Sequence, residues 1–217
     1  MVLLQLRNHL RHRRRYAKGR VTVGDIPALD ADGLGAFEAA LAGCASYLEF
    51  GSGGSSIVAA RSGKPFVSVE GDREFLQLVQ RRAVAAAPGH KGTFLHADVG
   101  MVAGWGYPAF TRPTSSRLAR WRGYSARPWS TLGGHPPDLI LIDGRFRVAC
   151  ALAVVQHLEG TTWTMLVDDY AERPHYRSIE AFTSLVAMHG RMAEFAPRPF
   201  DRESLLKARK SFDGDFR

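Results

Sequence analysis

A chain of 217 residues is long enough to bury one full core and short for two. An apolar fraction of 45% with four tryptophans excludes a disordered polymer, and no apolar run approaches the eighteen or so residues of a membrane span, so the chain reads as a cytoplasmic globular protein. The net charge of +8 suggests a polyanionic partner until it is located, because residues 1–20 carry Arg7, Arg11, Arg13, Arg14, Arg15, Lys18 and Arg20 with no acid, leaving the rest near +1. Residues 1–20 therefore read as a basic arm, either a solvated face or a contact for an anionic surface such as a membrane, RNA or an acidic glycan. Cys44 and Cys150 lie in apolar surroundings without metal or redox spacing and read as reduced core residues.

The arm is compatible with a helix through Arg15. Asp30 then precedes an alanine-rich helix over 34–41, with Phe37, Ala40 and Leu41 on one side. A strand follows at 45–50, then the turn Gly51-Ser52-Gly53-Gly54, and a helix that Ser55 or Ser56 can cap and that stops before Gly63. The second strand spans 65–70, and Asp72 caps a helix to about residue 87 with Phe75, Leu76, Val79 and Ala83 inward. A third strand covers 93–97 and ends on Asp98.

Residues 101–137 break this rhythm with five arginines, no acid, and Trp105, Trp121 and Trp129. Loops this long in compact domains tend to be lids or disordered, and three large rings call for burial, so the segment reads as a lid-like insertion over the strand ends. Asp138-Leu-Ile-Leu-Ile-Asp143 is a central strand, followed by a buried helix over 145–158. The fifth strand, 162–167, ends on Asp168-Asp169. A helix from Pro174 would carry Ile179, Phe182, Leu185 and Val186, residues 191–197 form a sixth strand, and Asp201 caps a last helix over 202–209. No seventh strand is evident. Strands alternating with helices predict an α/β fold: one doubly wound, mostly parallel sheet with helices on both faces, as a single domain over 21–217.

Between strand and helix, Gly51, Gly53 and Gly54 offer bare main chain, unpaired N–H groups and the positive end of a helix dipole, a seat for a carboxylate, phosphate or nucleotide. In such a sheet ligands bind beyond the carboxyl ends of the strands. Those ends carry Glu49, Glu70, Asp98, Asp143 and Asp168-Asp169, and core packing needs no acid there. Glu70, nineteen residues past Gly51, is placed to accept hydrogen bonds from both hydroxyls of a ribose.

The ordered set resembles class I S-adenosylmethionine-dependent methyltransferases over roughly residues 40–200. Glu49-Phe-Gly-Ser-Gly-Gly-Ser55 is similar to their first motif, Glu70 to the acid that holds the ribose, Asp98 to the acid that meets the adenine amino group, and Asp143 to the acid beside the methyl group. Gly-Ser-Gly-Gly-Ser with Asp143-Gly-Arg-Phe-Arg147 and Asp168-Asp169-Tyr170 resembles a group of methyltransferase-like proteins whose distant relatives methylate sugars and polysaccharides. Ser56, where many members have glycine, is a departure. The resemblance implies a Rossmann-like fold and S-adenosyl-L-methionine at Glu49, Gly51, Ser52, Gly53, Gly54, Ser55, Glu70, Asp98 and Asp143. Glu49 would face the cofactor's ammonium, and the backbone N–H groups of the turn its carboxylate.

Arg145 and Arg147 stand at the start of a helix and oppose its dipole, which something must offset. Either they pair with Asp143, Asp168 or Asp169, or one of them grips an anionic or polyhydroxylated acceptor. Asp143, Asp168 and Asp169 also admit a Mg²⁺ ion that would lower the pKa of an acceptor hydroxyl. Without metal, Asp143, Asp169 or His175 is the candidate base, and methyl transfer leans on in-line positioning. The leading function is O-methylation of a small-molecule or saccharide-like acceptor. The alternatives are a non-catalytic nucleoside-binding protein, an NAD-binding oxidoreductase, and an RNA methyltransferase using its basic arm.

Overall fold

The computed structural model describes residues 2–217 and is built outward from one short strand. β1 (Tyr47–Phe50) is buried at all four positions because it has a parallel neighbour on each side, β2 (Phe66–Glu70) and β4 (Leu139–Ile142). β3 (Gly92–His96) extends the sheet beyond β2, and β5 (Thr164–Val167) beyond β4. The order is β3-β2-β1-β4-β5-β7-β6, so the strand sequence reverses direction between β1 and β4. At the carboxyl ends of the strands, the side where such sheets bind ligands, Gly51 and Asp143 follow β1 and β4 directly.

Alternation along the strands divides the core. Tyr47, Leu139, Leu141 and Leu166 face α2 (Ala31–Gly43), α3 (Gly54–Ser62) and α4 (Arg73–Ala86). Leu48, Phe50, Ile140, Ile142 and Val167 face α5 (Ser115–Ala126), α7 (Arg147–His157) and α8 (Arg202–Phe212). α7 is buried continuously from Arg147 to Val155, as its apolar sequence requires, and the four-residue α6 (Trp129–Leu132) links α5 to β4. Asp72 and Asp201 cap their helices as expected, with carboxylate oxygens accepting from Glu74 and Phe75 N–H and from Ser204 N–H.

The sheet has seven strands, one more than the sequence suggested. Leu185 and Val186 lie not on a helix from Pro174 but on β6 (Thr183–His189), after a 3₁₀ segment, Pro174–Ala181. β6 forms a hairpin with β7 (Met192–Pro197) through Gly190-Arg191, Gly190 taking φ +60°, and β7 runs antiparallel to β5. β6 is an edge strand whose Leu185, Val186 and Met188 are exposed, so its two faces lack the contrast that marks a strand in sequence. Asp30 ties this hairpin to α2, accepting from Gly33 N–H and Arg191 N–H at 2.8 Å each.

The basic arm is not detached. α1 (Val2–Ala17) lies against the rim of the sheet, with His12 Nε2 and Tyr16 Oη on Asp72 Oδ2 at 2.6 and 2.7 Å, and His9 Nδ1 at 2.8 Å from the Val102 carbonyl. The insertion likewise contains a regular helix, α5, that carries Trp121 and Tyr124 into the core. Trp129 stacks on His157 at 4.5 Å, but Trp105 is 84% exposed, against the expectation that all three rings are buried.

Candidate active site

The three glycines of the first turn serve three purposes. Gly51 has φ +105°, and a Cβ there would stand 2.5 Å from the Gly144 nitrogen, so this glycine lets the β1 and β4 turns pack on each other. A Cβ on Gly54 would collide with the backbone of Ile26 and Pro27, which cross α3 at its first residue. Of the three, Gly53 alone has no heavy atom within 4 Å of its Cβ position. It is the open stretch of main chain in the turn, and it caps α3 while Ser56 Oγ accepts from its N–H at 3.1 Å.

Glu49 does not face this opening. It is fully buried and accepts hydrogen bonds from Tyr47 Oη at 2.9 Å, Ser55 Oγ at 2.6 Å and Ser56 Oγ. Burial raises its carboxyl pKa, while the three hydroxyls favour the charged form. Glu49 and Ser55 give these polar atoms to each other, which ties α3 to β1. Ser56, the departure from the family pattern, supplies part of the same tie.

Glu70 ends β2 and is bound to the turns on either side of it. Its Oε1 accepts from Asp72 N–H at 2.8 Å and its Oε2 from Ser52 N–H at 3.3 Å, while Ser52 Oγ lies 2.6 Å from Ser68 Oγ. Desolvation pushes its pKa up to about 7 against the pull of these N–H groups. Gly106 sits over it: a Cβ there would lie 3.5 Å from Glu70 Oε1 and 3.9 Å from Arg145 Cγ. The turn Gly104–Gly106 thus occupies the space between these two side chains, and Trp105 within it has φ +63°.

Beside Glu70 lies a cavity of about 360 Å³ whose walls include Gly71, Asp72, His96, Asp98, and His9 and His12 of α1. Asp98 is exposed there, with Arg120 at 3.3 Å and Gly100 N–H at 2.9 Å. His12 is 7% exposed, and its Nδ1 has no partner. Burial would raise the Asp72 carboxyl, but the hydrogen bonds from His12 and Tyr16 hold it below its usual value. These α1 residues escaped the sequence reading; the only signal was polar, Gln5, His9, His12 and Tyr16 falling on one helical face.

On the other side of the switch point the two arginines separate. Arg147 is 2% exposed and turns back over the strand ends, donating to the Gly144 carbonyl at 2.9 Å, the Asp143 carbonyl at 3.2 Å and the Asp168 carbonyl, with the Asp143 and Asp169 carboxylates both at 3.0 Å. That set of acceptors offsets its place at a helix N-terminus. Arg145 pairs with none of the acids. Its guanidinium stacks on Tyr107 at 4.3 Å, and its buried Nε and Nη1 have no hydrogen-bond partner.

The metal reading does not fit the geometry. Asp168 gives both oxygens to Arg191 at 2.9 Å each, and Asp169 meets Arg147, Arg173 and Arg191 at 3.0–3.1 Å. Three guanidiniums neutralise these carboxylates, and among the described residues no group of three metal-ligating side chains is found. Asp143 keeps about 30% of its side-chain surface open, and desolvation, against the pull of Arg147, raises its carboxyl pKa. His175 packs edge-on against Tyr176 at 4.6 Å, near the charges of Asp215 and Arg217, with burial lowering its pKa.

Among solved structures, the chain is 31% identical to a methyltransferase-like protein from Silicibacter pomeroyi, over 86% of this chain and 96% of that one, with a TM-score of 0.74. Two more distant likenesses extend to the fold alone, each at a TM-score of 0.51. One is the cofactor-bound protein Rv0187 from MTB, 15% identical over 80% of this chain and 81% of that one. The other is the O-methyltransferase TomG from Streptomyces achromogenes, in complex with S-adenosylmethionine, 14% identical over 87% of each chain. Neither a family model nor a curated protein matches the chain.

Proposed function

Because the chain belongs to the class I S-adenosylmethionine-dependent methyltransferases, we propose that it transfers the methyl group to an oxygen of a small polar or saccharide-like acceptor. The observation that carries this reading is Arg145, a cation at the switch point with two buried nitrogens left unpaired. Covered guanidinium nitrogens without acceptors are costly, and an anionic or polyhydroxylated guest would satisfy them. Tyr107 supplies a ring beside it on which such a guest could rest.

The residues fit the cofactor this family uses. Gly53 leaves bare main chain facing open space, and Glu70 is a carboxylate with room in its lone pairs for ribose hydroxyls. The cavity bounded by Asp98 and His12 is of a size for an aromatic base. When bound, the cofactor supplies an electrophilic methyl group on a sulfonium. The chain's part is then positional: Gly53 and Glu70 hold one reactant, Arg145 orients the other, and Asp143, raised in pKa and part-exposed, takes up the hydroxyl proton.

Calorimetry with S-adenosylhomocysteine and with NAD tests the cofactor half. Wild type binds the former, and Glu70→Ala loses it; heat from NAD alone, or undiminished binding by Glu70→Ala, refutes the assignment. For the acceptor half, Arg145→Ala raises KM for the acceptor about tenfold or more while cofactor affinity holds.

A further inference from the structure

Five aliphatic side chains stand in water on one helix. Val2, Leu3, Leu4, Leu6 and Leu10 of α1 are 62, 82, 53, 37 and 48% exposed. α1 turns its polar face to the protein instead, through Gln5 on Thr111, His9 on Val102, and His12 and Tyr16 on Asp72. At about 100° per residue, positions 5, 9, 12 and 16 make this docked face. Val2, Leu3, Leu6 and Leu10 make the stripe beside it, and Arg7, Arg11 and Arg14 the row after that. The usual burial pattern is inverted, and a contiguous apolar stripe left in water marks a contact.

We propose that α1 is a membrane-surface helix, laying Val2, Leu3, Leu6 and Leu10 into the headgroup boundary of an anionic bilayer with Arg7, Arg11 and Arg14 against its phosphates. Charge and apolarity point to the same partner. Residues 1–20 carry seven cations and no acid, which matches an anionic surface, and the leucines beside them match its acyl layer. Nucleic acid would use the arginines and leave the leucines idle. A second copy packed on the stripe would bring one arginine row against another. Trp105, 84% exposed on the turn that packs against α1, is a ring of the kind that settles at headgroup level. Among the described residues no helix is long and apolar enough to cross a membrane, so the contact is peripheral.

Co-sedimentation of the full chain with vesicles of phosphatidylcholine, alone or with about a third phosphatidylserine, tests this at low and high salt. The chain binds the anionic vesicles, binds the neutral ones weakly, and is released by salt. Arg7→Ala/Arg11→Ala/Arg14→Ala loses roughly fivefold per arginine, about a hundredfold together. Leu3→Ser/Leu6→Ser/Leu10→Ser weakens binding by about a hundredfold or more while its circular dichroism and melting temperature match wild type, since these side chains touch no core. The proposal is overturned by no binding to anionic vesicles at low salt or by a serine variant that binds as well as wild type. It is equally overturned by a dimer that the serine variant splits, or by an RNA oligonucleotide that binds through the arginines where vesicles do not.

Discussion

Replacing Arg147 by methionine keeps an unbranched stem as far as Nε and removes the guanidinium fork with its charge. The wild-type guanidinium, 2% exposed, serves three carbonyls and the carboxylates of Asp143 and Asp169. Asp169 retains Arg173 and Arg191, so the group left without a cation is Asp143. Breaking a buried pair costs about 3–5 kcal/mol, and the partial exposure of Asp143 puts this case at the lower end, near ~3 kcal/mol. For a domain of this size that lowers Tm by roughly 6–12 °C. Urea unfolding followed by circular dichroism measures the loss at pH 9 and again at pH 5. Burial already raises the Asp143 carboxyl to about 7, and without Arg147 it rises further. A raised acid binds its proton more tightly when folded, so its stabilising share is lost as pH climbs from the ordinary carboxylate range through the raised value. The variant is therefore least impaired at pH 5, and adding Asp143→Asn restores most of the loss at pH 9. A deficit at pH 9 below about 1 kcal/mol, or one equal at both pH values and not rescued, refutes the idea that this arginine exists to hold the strand-end acids.

The glycines give a paired test by thermal melting and calorimetry: Gly51→Ala costs about 3 kcal/mol from positive φ and collision with Gly144, whereas Gly53→Ala costs under about 1 kcal/mol yet weakens S-adenosylhomocysteine. Equal melting losses contradict the division of labour. Glu70, at about 7 when folded against 4.5 for an ordinary glutamate, makes wild type lose stability as pH rises from about 4.5 to 7. Relative to wild type, Glu70→Gln should therefore gain about 2–3 kcal/mol between pH 5 and pH 8, and a parallel pair of pH profiles rejects the shift. His12→Leu removes a bond to buried Asp72 and loosens α1 by about 1–3 kcal/mol, read as faster amide exchange over 2–17 with the rest of the chain unaltered; unchanged exchange there rejects the docking.

Much of the sheet was legible because its signals are local. Asp138 to Asp143 is an apolar run bounded by acids, and Asp72 and Asp201 announce helix starts with the side chains that then cap them. The β6–β7 hairpin was hidden because Ile179, Phe182, Leu185 and Val186 fall at helical spacing, although two belong to a 3₁₀ end and two to an exposed edge strand. The rim acids could be named from sequence but not their partners. Whether Glu49 meets a ligand or Ser55, and whether Asp168 meets an ion or Arg191, depends on side chains brought from elsewhere in the chain. The charge of α1 is plain in the sequence, yet what docks it is a row of polar side chains, with Arg13 on Glu74, and no hydrophobic period betrays that row.

The placement of Gly106 between Glu70 and Arg145 has an energetic corollary. A guest reaching for both side chains competes with a piece of the host's own backbone, one tethered a few residues away and never diluted. Measured affinity then understates the strength of the contacts by whatever fraction of molecules keeps that tenant in place. Shortening or stiffening the tenant should therefore tune how tightly the guest is held without altering any atom that touches it.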